Sequence, residues 1–193
     1  ELRIILEANN ILGIRIPPKG LSDSWISELH IDLSPWFLKA SKSILFGTLL
    51  VIDYCLEAKR YYSPSRTDGT LISYKNQKAS ENLLGNPGEM DLTAHLCLET
   101  VILSAIKSGW KFLGDVKQGE ALLALGLAEK LKGLSSLDNS KLDLALKSRE
   151  NLLRLVDPLH LGNFKWLVFQ ITQSIDHSKG ELNFSSRCLK EPI

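Results

Sequence analysis

Residues 48–53 read TLLVID: a hydroxyl, four aliphatic side chains in a row, and an acid, with Gly47 in front. A half-exposed strand would place polar residues at every second position. An unbroken apolar run bounded by turn formers instead predicts a strand buried on both faces, as in the parallel sheet of an α/β fold. Ligands of open α/β sheets gather at the carboxyl ends of the strands, and Asp53 stands at that end. An acid there either holds a cationic or hydroxyl-bearing ligand or caps the next turn. Tyr54 follows with a donor hydroxyl and a flat face for stacking.

The chain on either side fits that reading. Upstream, Ser34 and Pro35 pair an N-cap residue with the favoured first helical position. Trp36, Phe37, Ala40, Ile44 and Leu45 then recur at helical spacing up to a stop at Gly47. WISELHID at 25–32 predicts a short strand, 17–24 a loop, and the two apolar runs around Ala8-Asn9-Asn10 a hairpin. Downstream, 55–90 is a long polar connection rich in turn formers, of the kind that is functional or disordered. A helix at 97–108 ends at Gly109, WKFLGDV is a strand, 119–134 and 139–156 are helices, and FKWLVFQIT at 164–172 is a final strand. Helices alternating with buried strands define an α/β chain. It divides into a hairpin segment (1–32), a main body (33–172) and a tail (173–193).

Composition narrows the function. The 193 residues suit one domain with a substantial core. A formal net charge of +1 lacks the electrostatic footprint of a nucleic-acid binder. Cys55, Cys97 and Cys188 are far apart and odd in number, so no disulfide framework or zinc pair is indicated, and a reducing compartment, the cytoplasm, is expected. The most apolar stretch, 43–58, carries Asp53 and is too short to span a bilayer. The opening ELRIILE has neither Met nor a signal pattern, so the numbering is expected to begin inside a longer polypeptide.

A second stretch carries chemistry. Residues 88–96, GEMDLTAHL, written as an extended strand, put Asp91, Thr93 and His95 on one side. A hydrolytic triad is disfavoured, because side chains at i and i+2 meet only sideways and no G-x-S-x-G turn occurs. His95 is then a hydrogen-bonding histidine at a strand end or part of a ligand-facing ledge; in a helical reading Asp91 is the N-cap. Gly69-Thr70, after Asp68, is either a plain turn or a backbone site that closely approaches a ligand. The four histidines share no metal-ligand spacing, and no glycine-rich phosphate loop is present, so no metal is expected.

Five blocks occur in order: GTLLVIDYC, YYSPSRTDGTLISY, LLGNPGEMDLTAHL, GDVKQGEALLALGL and LGNFKWLVFQI, preceded by SELHIDLSPWFLKAS. Over roughly 25–172 this series resembles the C-terminal half of the MidA-like S-adenosylmethionine-dependent methyltransferases. That family includes a mitochondrial complex I assembly factor that methylates an arginine of a complex I subunit. Two departures stand out: Cys55 where the family has Gly after Asp-Tyr, and Cys97 where an acid caps the next helix.

The resemblance implies part of a class I (Rossmann-like) methyltransferase fold with a mixed sheet and a hairpin insertion. The cofactor implied is S-adenosyl-L-methionine, although the family's Gly-rich cofactor loop lies upstream of these blocks and is not in this chain, so the chain alone is expected to be inactive. The implied acceptor is a protein arginine, and a guanidinium acceptor would have to be held by carboxylates. Asp53, Tyr54 and His95 are then the catalytic candidates, and Gly69, Thr70, Asp91 and Thr93 the substrate-binding ones. The implied setting is the cytoplasm, or the mitochondrial matrix in a eukaryote. The competing expectation is a non-catalytic interaction or assembly module that kept the fold.

Overall fold

The computed structural model describes residues 23–134 and 139–172, together with residues 10 and 16–20. Apart from Asn10, the hairpin turn expected at 8–10 falls outside them, as does the tail at 173–193. In chain order the elements are α1 (Leu33–Ser43), β1 (Phe46–Asp53), β2 (Cys55–Leu56), α2 (Ala58–Tyr61), β3 (Ile72–Lys75), β4 (Lys78–Ser80), β5 (Asp91–Thr93) and β6 (Leu96–Cys97). Then follow α3 (Leu98–Lys107), β7 (Lys111–Lys117), α4 (Gln118–Ala124), α5 (Leu127–Leu134), α6 (Leu142–Val156) and β8 (Lys165–Thr172). They form two compact units: Glu1–Ser43 with Tyr54–Gly109, and Ile44–Asp53 with Trp110–Ile193.

In the second unit the sheet order is β1-β8-β7, with β8 antiparallel to both neighbours, so β1 and β7 run the same way. Leu167, Val168, Phe169, Gln170 and Ile171 are consecutive buried residues of β8, and Phe169 meets the ring of Phe112 on β7 at 5.3 Å. The strand buried on both faces is therefore β8. Among the described residues TLLVID belongs to an edge strand, on which Phe46 and Ile52 are each 44% exposed. Both runs are equally apolar, and only position in the sheet separates them.

Gln118, at the start of α4, holds this unit's corner. Its side-chain amide donates to the carbonyls of Leu155 and Leu161, at 3.1 and 3.0 Å, and its oxygen accepts from Trp166 Nε1 at 3.2 Å. Gly119 lies so close to the Val156 carbonyl that a Cβ would come within 2.9 Å of it, which is why a residue without one follows Gln118. The single helix expected over 119–134 is two. Gly126, with φ +95°, breaks the hydrogen-bond ladder between α4 and α5.

The first unit departs further from expectation. α1 starts at Leu33, with the Trp36 N–H on the Asp32 carbonyl, so Ser34 lies inside the helix and not at its cap. Gly47 belongs to β1, and the helix has already ended at Ser43. α3 ends as expected: Gly109 takes φ +87° just past it, and the Ser108 hydroxyl ties it to α1 through the Ser34 carbonyl at 3.2 Å.

WISELHID is irregular except for one parallel bridge, Ile26 to Asp68. The expected long loop at 55–90 is largely structured. It contains α2, a β3–β4 hairpin turning through Asn76 and Gln77 in left-handed conformations, and β2, which pairs in parallel with β6. β5 adds to the other edge of β3. A core of Ile16, Ala58, Tyr61, Tyr62 and Cys97 sits beneath, packed by Trp25, Leu29 and Leu56. Short polar strands carry no apolar period, which is why the sequence reads them as loop.

Candidate functional site

The centre of the first unit is a glycine turn held by a carboxylate. Gly69 takes φ +70°, open to a residue without a Cβ, and an added Cβ would overlap the Glu28 carboxylate. Glu28 Oε1 accepts the backbone N–H of Thr70 at 2.8 Å and of Leu71 at 2.9 Å. Oε2 accepts the hydroxyls of Tyr61 at 3.1 Å and Thr70 at 3.2 Å. Burial pushes the Glu28 carboxyl pKa up, but these donors outweigh it and hold the group below the ordinary carboxylate value.

Thr70 extends the network. It is buried, and its hydroxyl, which donates to Glu28, also accepts the His95 N–H at 3.0 Å. The His95 ring lies 5.6 Å from that of Tyr54, tilted by 45°. The next residue returns the bond: the Leu96 N–H donates to the Tyr54 carbonyl at 2.7 Å where β2 meets β6.

Beneath them His30 accepts the Cys97 N–H on Nε2 at 3.2 Å and sits edge-on to Tyr61 at 5.5 Å. Burial lowers the His30 pKa, and this prevails over the Glu28 charge and a hydrogen bond to the His95 backbone, which raise it. Burial likewise raises the Tyr61 and Tyr62 phenols and the Cys97 thiol, so these groups stay neutral.

The structure thus brings Tyr54, Thr70 and His95 together around the Gly69 turn. Asp91, Thr93 and His95 do not share one strand: β5 ends at Thr93, and β6 begins in another sheet at Leu96. Asp91 lies exposed opposite Tyr74, and Thr93 half-buried opposite Ile72. Asp53 closes β1, half-buried, opposite Lys165 in the register. At Cys55, where a glycine turn is expected, the chain is extended in β2. Cys97 precedes α3 without a side-chain cap; Glu99, in the first turn, instead accepts the Ala58 N–H at 2.7 Å.

Glu28 and His30 escape the sequence reading. Three donors in a Gly-Thr-Leu turn require an acceptor, but nothing local says that it comes from 42 residues upstream.

The same contacts bear on where a nucleotide-like cofactor could sit. A glycine-flanked pair of N–H groups is the usual cradle for such a group, yet the Thr70 and Leu71 N–H groups are already taken by Glu28. The Gly69 turn does not fit that role.

Comparison with known proteins completes the description. A family model described as "Putative S-adenosyl-L-methionine-dependent methyltransferase" matches residues 7–116. A COG1565-superfamily protein from Burkholderia thailandensis, in a native crystal structure, is 24% identical with a TM-score of 0.74; the match covers 96% of this chain and 46% of that one. A COG1565-superfamily structure from the same organism, bound to S-adenosyl-homocysteine, also matches at 24% identity and a TM-score of 0.74, covering 96% and 45%. The chain spans somewhat less than half the length of each structure, and at this identity the likeness is one of fold: a Rossmann-like methyltransferase α/β fold. No curated protein matches the chain.

Proposed function

The chain belongs to this S-adenosyl-L-methionine-dependent methyltransferase family, whose model covers more than half of it, and on that premise we propose that it contributes the acceptor side of a methyl-transfer site acting on a protein arginine. The observation that carries the reading is the grouping of Tyr54, Thr70 and His95, which stand far apart in sequence, around a turn fastened by a buried network. Methyl transfer asks little covalent chemistry of the protein. It requires an acceptor held in line and a charge environment that suits the displacement.

Each residue takes a role on this reading. Asp91, in the first unit, pairs with the acceptor guanidinium, which stays charged and binds carboxylates in bidentate fashion, and Asp53, closing β1 in the second unit, is a separate candidate acid for the reaction. Tyr54 offers its 41% exposed ring as a stacking face. His95 accepts the proton that the methylated nitrogen loses, an imidazole nitrogen being the commonest acceptor for such a transfer. Gly69 and Thr70 shape the loop over the acceptor through the Glu28 clamp, and Thr93 lines its approach. S-adenosyl-L-methionine supplies the methyl group, and on this reading the Gly-rich loop that binds it lies outside these 193 residues. The 193 residues alone are therefore expected to be inactive.

Among the described residues no helix is long and apolar enough to cross a membrane. A protein acceptor in the cytoplasm, or in the matrix of a mitochondrion, suits a chain of three scattered cysteines and near-zero charge.

The test uses the full-length protein with labelled cofactor and candidate protein acceptors. Asp53→Ala and Asp91→Ala should each lower transfer at least about tenfold with folding unchanged, and the label should be recovered in arginine. Unchanged transfer would remove that aspartate from its role. Label in another residue would overturn the acceptor class, and no cofactor binding at all would leave a non-catalytic assembly module.

A further inference from the structure

Outside the Gly69 network, the first unit has a cleft of about 310 Å³ lined by Arg60, Ser63, Ser65 and Arg66. Nothing in the methyl-transfer reading uses it. Its walls are the end of α2 and the turn that follows. That turn is fixed: the Arg66 N–H donates to the Ser63 carbonyl at 3.0 Å with Pro64 between them, and Trp25 Nε1 donates to the same carbonyl at 3.3 Å.

The donors are arranged in advance. Arg66 Nε donates to the Arg60 carbonyl at 3.4 Å, which orients the guanidinium plane and leaves its two terminal nitrogens for other partners. The Ser63 and Ser65 hydroxyls meet at 2.8 Å. One of them donates to the other, so one hydroxyl hydrogen remains to serve a ligand. Among the described residues no carboxylate forms an ion pair with Arg60 or Arg66. Two guanidinium groups lining one cleft repel each other, and an anion with two charges relieves the repulsion better than one with a single charge.

We propose that the cleft formed by Arg60, Ser63, Ser65 and Arg66 binds a phosphate-class oxyanion carried by a small soluble ligand. Guanidinium matches phosphate oxygens in bidentate geometry, a serine hydroxyl supplies a further donor, and the volume suits a small molecule. The site is independent of methyl transfer and stands whether or not that reading does.

The experiment titrates inorganic phosphate into the full-length protein at constant ionic strength and follows backbone amide resonances. Sodium chloride and acetate serve as controls. Saturable shifts centred on Ser65 and Arg66 are expected, absent with chloride and much weaker with acetate. Arg66→Gln and Arg60→Gln should each weaken binding at least about tenfold, with Arg66→Lys in between because it keeps the charge and loses the fork. Arg60 is exposed, so Arg60→Gln decides the matter if Arg66→Gln disturbs the turn. Shifts that are linear, equal for phosphate and chloride, equal for phosphate and acetate, or unchanged in Arg60→Gln would overturn the proposal.

Discussion

At the scale of the residue, Glu28 and Gly69 define each other. The carboxylate occupies the space where a Cβ at residue 69 would stand, and the left-handed backbone there lets the Thr70 and Leu71 N–H groups turn toward it. Gly69→Ala should cost about 2 kcal/mol, from the left-handed conformation and from displacing Glu28. Glu28→Ala should cost about 2 kcal/mol by leaving those N–H groups without a protein acceptor. Because both act on one contact, the double variant should lose less than the sum by about 1 kcal/mol, read from urea unfolding. Additive losses would show that the clamp is incidental. The pH dependence follows from the lowered Glu28 pKa. The unfolded state binds the proton first, so the stabilisation is present above the ordinary carboxylate value of 4.5 and is lost as pH falls through the lowered one. Glu28→Ala should flatten that acid limb.

At the scale of the element, the β3–β4 hairpin shows local preference giving way to tertiary demand. Asn76 and Gln77 take φ of 50° and 63°, a pair of left-handed residues that suits the twist of a two-residue hairpin. Asn tolerates that conformation and Gln does not favour it, so the turn is not advertised by its second residue. Gln77→Gly should raise stability by about 1 kcal/mol, seen as a higher midpoint in calorimetry. No gain would mean that Gln77 earns its place through contacts outside the turn. The helices tell the opposite story. α3 and α6 were legible because their apolar spacing and their stops are local, and Gly109 ends α3 where its type predicts. Gly126 is the same kind of stop inside 119–134, but the leucine run around it keeps a helical apolar period through it.

At the scale of the whole molecule, a net charge of +1 meets an apolar edge strand. Among the described residues β1 pairs only with β8, and Phe46, Leu50 and Ile52 stay substantially exposed. Little charge repulsion and an apolar strand edge favour association between copies. Leu50→Lys should raise the concentration at which light scattering detects association, with the fold retained. An unchanged onset would place the sticky surface elsewhere. Within each unit, the residues that the sequence singled out divide unevenly: Tyr54, Gly69, Thr70 and His95 meet through Glu28 and the β2–β6 pairing, whereas Asp91 and Thr93 stand on the neighbouring three-stranded sheet.

The sequence by itself determined the α/β class, the family, the strands expected at 110–116 and 164–172, which form within a residue of those bounds, and the helices expected at 97–108 and 139–156, because apolar period, stop residues and ordered motifs are local properties of the chain. Only the tertiary structure decided which apolar run lies at the centre of the sheet and which acid fills the Gly69 turn. Burial and hydrogen-bond partners depend on what the fold brings alongside, and Val168 and Leu50 look alike until their neighbours are in place.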